Sequence, residues 1–262
     1  MSIKVDPDWW RTLFDGVYLS TDARSVCDDT VTKLEVDVIC QLLPLDPEHT
    51  IMDLCGGHGR HSFELHSRGF EKCTLLDYSN YLIDHAALKA EKQQFPLVCI
   101  QADARDTGLP SESFDHVMIM GNSLGYIDLP EADIDILREA QRLLRPGGWL
   151  LVDVTDGSIV KQTFKAEAWH EIGNDIVVCR QRELIGDRIN AREMVMSKKE
   201  GLVRDRNYSI RLYEPEMMES LLEKAGSGNV SVQTGFSNRE SETDCGFMNY
   251  RMIGIGQKKA SV

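Results

Sequence analysis

A glycine-rich loop between a short apolar run and a helical stretch is the feature that most constrains how this chain can fold. The run Ile51 to Leu54 leads into the loop Cys55 to Gly59, and a helical pattern then continues to Ser67. Glycine permits a tight turn and lets backbone amides approach a ligand with no Cβ in the way. Such a turn is common by itself, so its meaning depends on the segments around it.

Apolar runs and helical stretches continue to alternate after this loop. The further predicted strands are Cys73 to Leu76, Leu97 to Gln101, Phe114 to Met120 and Trp149 to Val154. The predicted helices are Thr32 to Leu43, Asn80 to Gln93 and Ala132 to Leu144. Strands that alternate with helices at this spacing predict parallel βαβ units.

From Asp156 the pattern changes to longer strands with partial alternation. These strands are predicted at Asp175 to Leu184, Arg188 to Ser197 and Leu202 to Tyr213, and they indicate an antiparallel meander with one solvated face. A helix from Glu214 to Ala225 and closing strands at Val230 to Phe236 and Met248 to Gly256 follow. The sequence therefore predicts an α/β fold with a doubly wound, seven-stranded, mostly parallel sheet whose last strand is antiparallel. An inserted antiparallel three-stranded cap interrupts it.

Polar residues stand at the ends of several predicted strands. Asp77 closes the second strand, 18 positions after Gly59, Asp103 closes the third, and Gly121-Asn122-Ser123 follows the fourth. In an open α/β sheet the carboxyl ends of the strands line the ligand crevice, so these residues should converge on one site. A carboxylate at the position of Asp77 can accept hydrogen bonds from two ribose hydroxyls.

The charge of this crevice discriminates between nucleotide ligands. Asp53, Asp77 and Asp103 would repel a pyrophosphate but would favour a ligand that carries an ammonium and a sulfonium. The third small position of a dinucleotide-binding loop is occupied by Ser62, which is an imperfect match. S-adenosylmethionine contains adenosine and both cations but no phosphate, so the charge pattern favours it.

The segment Ile51 to Gly69 resembles motif I of the class I S-adenosylmethionine-dependent methyltransferases. Gly57 and Gly59 match the second and third glycines of that motif. Cys55 occupies the place of the first glycine, as in a bacterial subgroup that reads D-L-C-x-G-x-G-R-H. The resemblance covers residues 34–156 well and residues 225–258 less specifically. It identifies the cofactor far better than the methyl acceptor.

The resemblance implies a role for several residues. Asp77 corresponds to the acidic ribose ligand, Asp103-Ala104 to the position that recognises adenine, and Leu144-Arg-Pro-Gly-Gly to the loop before the fifth strand. The full set of expected cofactor contacts is Tyr18, Asp53, Cys55, Gly56, Gly57, Gly59, Asp77, Tyr78, Asp103, Ala104 and Gly121. The expected acceptor contacts are Asn122, Tyr126, Trp169, Tyr208 and Arg211. The expected product of the cofactor is S-adenosyl-L-homocysteine.

Methyl transfer by direct displacement disperses charge, so a catalytic base is not required, and none is evident. The candidates for one are His58, His61, Tyr126 and His170. No metal is expected, although His61 and Glu64 share a helix face, because the ligands of a zinc site are incomplete. Asp53 could equally cap loop amides without touching the ligand.

Four segments are expected along the chain. Residues 1–31 form an N-terminal lid segment, and residues 32–156 form the S-adenosylmethionine-binding core. Residues 157–213 form the inserted cap, and residues 214–262 complete the core sheet. The aromatic residues Trp9, Trp10 and Tyr18 fit either a lid or ordinary core packing, and the resemblance favours the lid. The cap fits either an acceptor pocket or the interface of a homodimer.

Composition limits the acceptor and the compartment. With 42 acidic and 29 basic residues the formal charge is −13, which disfavours binding to nucleic acid. Seven scattered cysteines, including Cys27 and Cys245, indicate reduced thiols, and no apolar run is long enough for a membrane span. We therefore expect a cytoplasmic enzyme with a small-molecule acceptor, methylated on oxygen or nitrogen. A cofactor sensor without turnover and a tRNA or protein methyltransferase are the alternatives.

Overall fold

A computed structural model describes residues 2–21, 28–129, 131–236 and 249–260. Within these ranges seven strands form one sheet. The strands are β1 (Ile51–Leu54), β2 (Cys73–Asp77), β3 (Val98–Gln101), β4 (Phe114–Ile119), β5 (Leu144–Thr155), β10 (Ser227–Phe236) and β11 (Arg251–Lys258). Their order in the sheet is β10-β11-β5-β4-β1-β2-β3. The first five pair in parallel, whereas β11 runs antiparallel to both β5 and β10. The predicted mostly parallel sheet is confirmed. The start predicted for the closing strand, Met248, lies outside the described residues.

Helices lie on both faces of this sheet. A 3₁₀ turn spans Trp9–Arg11, and the α-helices are α1 (Gly16–Thr21), α2 (Asp29–Leu42), α3 (Arg60–Ser67), α4 (Asn80–Gln93), α5 (Ala132–Leu143), α6 (Gly157–Gln162) and α7 (Pro215–Lys224). Helix α2 begins earlier than the predicted Thr32, because the Asp28 side chain accepts hydrogen bonds from the Thr30 and Val31 amides.

Two apolar clusters hold the layers together. On one face Leu137 of α5 and Met218 of α7 pack with Leu150 of β5, and all three are fully buried. On the other face Ile39 of α2 and Leu65 of α3 belong to the second cluster. Because both faces are covered, the parallel strands are apolar on both sides, which explains why they read as continuous apolar runs in the sequence.

The insertion forms a second, antiparallel sheet of four strands. In spatial order they are β6 (Glu167–Ile172), β7 (Ile176–Ile185), β8 (Arg188–Ser197) and β9 (Gly201–Arg211). The prediction of three strands was wrong, because β6 was missed. This edge strand is half-solvated and carries exposed Trp169 between two glutamates, so its pairing with β7 depends on main-chain hydrogen bonds rather than on an apolar pattern.

The two ends of the insertion meet at the core. Asp156 and Tyr213 form an isolated bridge, and the Gly157 amide donates to the Tyr213 carbonyl over 2.8 Å. A Cβ at Gly157 would lie 2.7 Å from that carbonyl oxygen and 2.9 Å from Leu212 Cβ. The junction therefore has no room for a side chain.

We predict that Gly157→Ala lowers the free energy of unfolding by about 1–3 kcal/mol, the usual cost of overpacking a tight site. Urea denaturation measures this loss, and Ser158→Ala in the same helix serves as the control. An unchanged denaturation midpoint in Gly157→Ala would show that the junction can relax around a side chain.

Candidate functional site

The carboxyl ends of β1 to β4 border a cavity of about 700 Å³. Its walls come from the N-terminal segment, from the loops after β1, β2, β3 and β4, and from α4 and α5. The lining residues are Trp10, Phe14, Tyr18, Cys55, Gly57, Asp77, Tyr78, Leu82, Asp103, Ala104, Ser123, Gly125, Tyr126, Ile127 and Ile136. Seven of the expected cofactor contacts, Tyr18 among them, thus surround one space.

A second cavity of about 400 Å³ adjoins the first. Both are lined by Tyr18, Cys55, Gly57 and Ser123, so these four residues form the neck of one elongated cleft. The residues that line only the second cavity are Gly56, His58, Arg60, His61, Met120 and Gly121.

The glycine loop owes its shape to alternate left-handed residues. Cys55, Gly57 and Gly59 have φ values of 59°, 59° and 76°. Gly56 is required for space, since a Cβ there would overlap Asp53 and lie 2.5 Å from Leu75 Cδ1. Cys55 thus adopts the conformation of the glycine whose place it takes, at a cost of roughly 1–2 kcal/mol for a residue with a Cβ.

The loop amides are already engaged by the protein. The Gly57 amide donates to Asp77 Oδ2 over 2.8 Å, the Gly56 amide to the Leu76 carbonyl over 3.1 Å, and the Gly59 amide to the Gly56 carbonyl over 3.0 Å. A pyrophosphate site needs such amides for the phosphate oxygens. The loop therefore does not suit a dinucleotide.

Asp77 lines the first cavity at the end of β2. Its other oxygen, Oδ1, accepts from the Ser79 amide over 2.8 Å, and burial raises the pKa of the carboxyl group. A carboxylate oxygen has two lone pairs, so each Asp77 oxygen can accept another hydrogen bond from a ligand.

Asp103 lines the first cavity after the end of β3. Arg105 binds it in a bidentate manner, with Nε 3.0 Å from Oδ1 and Nη2 2.6 Å from Oδ2, which lowers the pKa of Asp103. The Arg105 guanidinium also lies 5.7 Å from the Trp10 ring. The exposed neighbour Asp106 does not line the cavity, so the strand register that the sequence left open places Asp103 at the site.

The N-terminal segment covers the cleft with aromatic rings. Trp10, Phe14 and Tyr18 line the first cavity, and Trp9 packs with Trp10 and Phe14 in one apolar cluster. The Phe14 carbonyl accepts from Ser79 Oγ over 2.6 Å, which ties this segment to the start of α4. Phe14 was not anticipated as a lining residue, and its only signal was its place within an aromatic-rich run.

The expected acceptor residues are not all brought together. Tyr126 lines the first cavity and stacks on Phe14 with ring centroids 5.5 Å apart. Tyr208 of β9 lies behind it, with its ring 5.7 Å from that of Trp9. Trp169 lies on the edge strand β6 and is 68% exposed.

Asn122 and Arg211 point away from the cleft. Asn122 Oδ1 accepts from the Thr155 amide over 2.8 Å, so its side chain holds the turn after β4 against β5. The Arg211 guanidinium pairs with Asp133 of α5 and, over 3.3 Å, with Asp187. The neighbouring Ser123 lines both cavities instead. The sequence identifies the turn after β4 but does not determine which of the two neighbouring residues faces the cleft.

The candidate bases have different surroundings. His58 and His61 line the second cavity, and burial lowers their pKa values to about 3 and about 4, so both are neutral at pH 7. His61 Nε2 lies 2.9 Å from Glu35 Oε2. His170 lies on β6, opposite Val178.

Comparison with known proteins agrees with this geometry. A family model described as a methyltransferase domain matches residues 51–148. YqeM of Bacillus subtilis, which carries the name of a methyltransferase, is 28% identical over 195 residues, covering 72% of this chain and 78% of that protein. Over residues 51–148 the chain is thus similar to methyltransferase domains, and the matched segment contains the glycine loop and the strands β1 to β4.

Two solved structures share the fold of this chain. The CcbJ methyltransferase from Streptomyces caelestis has a TM-score of 0.74 at 18% identity, over 98% of this chain and 100% of that one. The sugar N-methyltransferase KedS8 from a Streptoalloteichus strain has a TM-score of 0.66 at 22% identity, over 99% of this chain and 97% of that one. Both likenesses extend over the inserted sheet as well as the core.

The residues that line the cleft suit S-adenosylmethionine, the cofactor that the sequence predicts. Carboxylates border the first cavity, and the amides of Gly56, Gly57 and Gly59 are engaged by the protein itself. Among the described residues, no group of three or more His, Cys, Asp or Glu side chains is placed to hold a metal ion. No helix in the described part of the chain combines the length and apolar character needed to cross a membrane.

Asp53 lies beneath the glycine loop and is not among the residues that line the two cavities. It is fully buried and accepts from Ser62 Oγ over 2.8 Å. Burial raises the pKa of its carboxyl group to about 6. Asp53 is thus bonded to Ser62 of α3, and its expected role as a cap of the loop amides stays a prediction.

We predict that Asp53→Asn becomes more stable relative to the parent protein as the pH rises from 4 to 7. A carboxyl whose pKa is raised on folding stabilises the fold only while it is protonated, so the parent protein loses stability as the pH rises from about 4, the ordinary value of the group, through about 6. The full shift corresponds to roughly 2–3 kcal/mol. Thermal unfolding of both proteins across this range measures the effect, and a stability difference independent of pH would contradict it.

Proposed function

We propose that the protein transfers the methyl group of S-adenosylmethionine to a nitrogen or oxygen atom of a small molecule by direct displacement. The observation that carries the proposal is the concave, two-part cleft, whose neck at Tyr18, Cys55, Gly57 and Ser123 lies beside the aromatic N-terminal segment. A concave site with aromatic walls suits a small acceptor better than a folded macromolecule.

The proposed cofactor contacts follow from the cavity walls. Asp77 would accept hydrogen bonds from the ribose hydroxyls, and the Asp103 carboxylate with the Ala104 amide would recognise adenine. Tyr78 and Trp10, with ring centroids 4.6 Å apart, would shield the nucleoside from water. The cofactor, when bound, supplies an electrophilic methyl group on a sulfonium.

The protein's part in catalysis is alignment and the exclusion of water. Displacement at a sulfonium disperses charge, so the main gain comes from holding the nucleophile in line in a dry site. The rings of Phe14, Tyr18 and Tyr126 provide this shield beside the neck. We further propose that residues 1–31 act as the lid and residues 157–213 as a cap behind it.

The candidate bases are weak proton acceptors. With pKa values of about 3 and 4, His58 and His61 do not titrate between pH 6 and 8. Activity in this range should therefore follow the ionisation of the acceptor itself. An acceptor that ionises without a catalytic base fits this site, either a partly deprotonated amine or an acidic hydroxyl.

Two features support the remaining parts of the proposal. The fold neighbour KedS8 is described as a sugar N-methyltransferase, which supports a small-molecule acceptor. The described cysteines, among them Cys40 and Cys73, are all free thiols, which supports a cytoplasmic location. Cys27 and Cys245 lie outside the described residues. A homodimer through the inserted sheet remains a prediction.

We predict that Asp77→Asn weakens binding of S-adenosylhomocysteine by about 1–3 kcal/mol, because a buried hydrogen-bonding partner is lost. Calorimetry measures this loss. Asp115→Asn is the control, since Asp115 lies at the amino end of β4, away from the carboxyl ends that border the cleft, and pairs there with Arg145 and Thr50. Tight binding of NAD together with no binding of S-adenosylhomocysteine would refute the assignment.

The acceptor class can be tested by product formation. We expect S-adenosylhomocysteine to be released when the protein and cofactor are incubated with small amines, amino sugars or phenols, and not with tRNA or unfolded protein. The parallel test with macromolecules decides between the two acceptor classes. Release with tRNA alone would establish the alternative of a macromolecular acceptor.

A further inference from the structure

None of the described residues of the inserted sheet lines the cleft. The described walls of both cavities come from the N-terminal segment and from residues 55–136 of the core. Tyr208 and Arg211, which the sequence placed beside the acceptor, lie outside these walls. The inserted sheet therefore acts on the cleft through the residues that it holds in place.

The inserted sheet holds the loop that follows β4. Arg188, the first residue of β8, donates from Nη2 to the carbonyl oxygens of Gly125 and Tyr126 over 3.2 and 3.4 Å. Its Nε donates to Ser209 Oγ over 2.9 Å, and its Nη1 lies 3.7 Å from Asp128 Oδ1. One guanidinium thus contacts this loop from residue 125 to residue 128.

Arg211, at the end of β9, holds the same loop from a second side. Its amide donates to the Gly125 carbonyl over 2.9 Å, and its guanidinium pairs with Asp133 of α5. Asp133 Oδ1 accepts in turn from the Gly125 amide over 3.1 Å. Gly125 has a φ of 93°, and a Cβ there would lie 3.0 Å from Arg211 Cβ and 2.9 Å from Tyr213 Oη. Both polar groups of Gly125 are therefore bonded, and no side chain fits beside them.

These contacts orient the loop as well as attach it. The side chains of Arg188 and Arg211 are 13% and 15% exposed, and burying a charge is unfavourable where apolar packing would serve. Arginine, however, presents its donors in a rigid planar fork, which fixes the directions of the carbonyl groups that it binds. The junction therefore gives the loop a defined orientation in addition to its attachment.

The loop carries one wall of the first cavity. Gly125, Tyr126 and Ile127 all line this cavity. The Tyr126 ring stacks on Phe14 with centroids 5.5 Å apart and meets the Trp9 ring edge-on at 5.3 Å, so it also contacts the N-terminal segment. A shift of the main chain at Gly125 would move this ring relative to both partners.

We propose that Arg188 and Arg211 are positioning residues for methyl transfer. By holding Gly125 they keep the Tyr126 ring in place as the acceptor side of the cleft. The inference rests on the proposed function and deepens it, since it gives the inserted sheet a role in aligning the acceptor. Cofactor binding depends little on these arginines, because Asp77 is held by amides of the core.

Nitration of Tyr126 by tetranitromethane tests the positioning and needs no acceptor. In Arg188→Met the ring should be released, and its nitration rate, measured by mass spectrometry and scaled to the exposed Tyr81, should rise about threefold or more. Arg192→Met in the same strand is the control, because Arg192 is 43% exposed and pairs with Asp205. This control should leave the nitration rate of Tyr126 unchanged.

Kinetics separate alignment of the acceptor from binding of the cofactor. With the small amine, amino sugar or phenol that releases most S-adenosylhomocysteine from the parent protein, Arg188→Met should lower kcat/KM about tenfold or more, since misplaced reactants react slowly. Its affinity for S-adenosylhomocysteine, measured by calorimetry, should stay within about twofold of the parent value. Arg188→Lys keeps a donor but not the planar fork, so it should restore part of the rate.

A milder variant decides the case in which Arg188→Met does not fold. Ser209→Ala removes the hydroxyl that accepts from Arg188 Nε and leaves the guanidinium in the protein, so nitration of Tyr126 should rise about twofold. Unchanged nitration in a folded Arg188→Met protein, or in Ser209→Ala where that protein does not fold, overturns the proposal.

The remaining outcomes keep the inference and the proposed function apart. If the Tyr126 ring is released in Arg188→Met while kcat/KM stays at the parent value, the role of Arg188 is structural and the proposal is overturned. A loss of affinity for S-adenosylhomocysteine as large as the loss of kcat/KM overturns it too, because the damage would then be general. If the parent protein neither binds nor releases S-adenosylhomocysteine, the proposed function fails. The role in methyl transfer fails with it, even where nitration shows that Arg188 holds the loop.

Discussion

The hydrogen bond from the Gly57 amide to the Asp77 carboxylate is the contact on which the rest of the cleft depends. It forms because Cys55, Gly57 and Gly59 turn the chain through left-handed conformations and direct this amide toward the end of β2. The same carboxylate accepts from Ser79, whose hydroxyl donates to the Phe14 carbonyl. One side chain thus links the loop, the start of α4 and the segment that covers the cleft.

Much of the core could be predicted from the sequence because its signals are local. Parallel strands buried on both faces read as apolar runs, and Asp77 could be placed because it ends such a run. Strand β8 was predicted with its observed bounds, Arg188–Ser197, since buried and half-exposed residues alternate strictly along it. Where one face of a helix or strand is buried, the spacing of its apolar residues predicts the type and the bounds of the element.

The rest could not be predicted because it depends on partners that are distant in the chain. Arg211 was expected to contact the acceptor, but Asp133, 78 residues earlier, neutralises it. Strand β6 has no apolar face and exists through its pairing with β7. The turn after β4 was identified, yet which of Asn122 and Ser123 faces the cleft is decided by a hydrogen bond to Thr155.

The buried charged residues also depend on partners that are distant in the chain. Burying a carboxylate such as Glu35 is unfavourable unless partners satisfy it, and replacing such a group with an apolar side chain is often neutral or stabilising. The network of Glu35, Asp153 and Arg251 is therefore weak as an explanation of stability alone. Its members join α2, which precedes the first strand, to β11, the last strand, and meet at the wall of the cleft. The closing strand thus contributes to the site as well as to the sheet. Without Arg251 no cation would lie between Glu35 and Asp153, and α2 would no longer be joined to β5 through this pair of contacts.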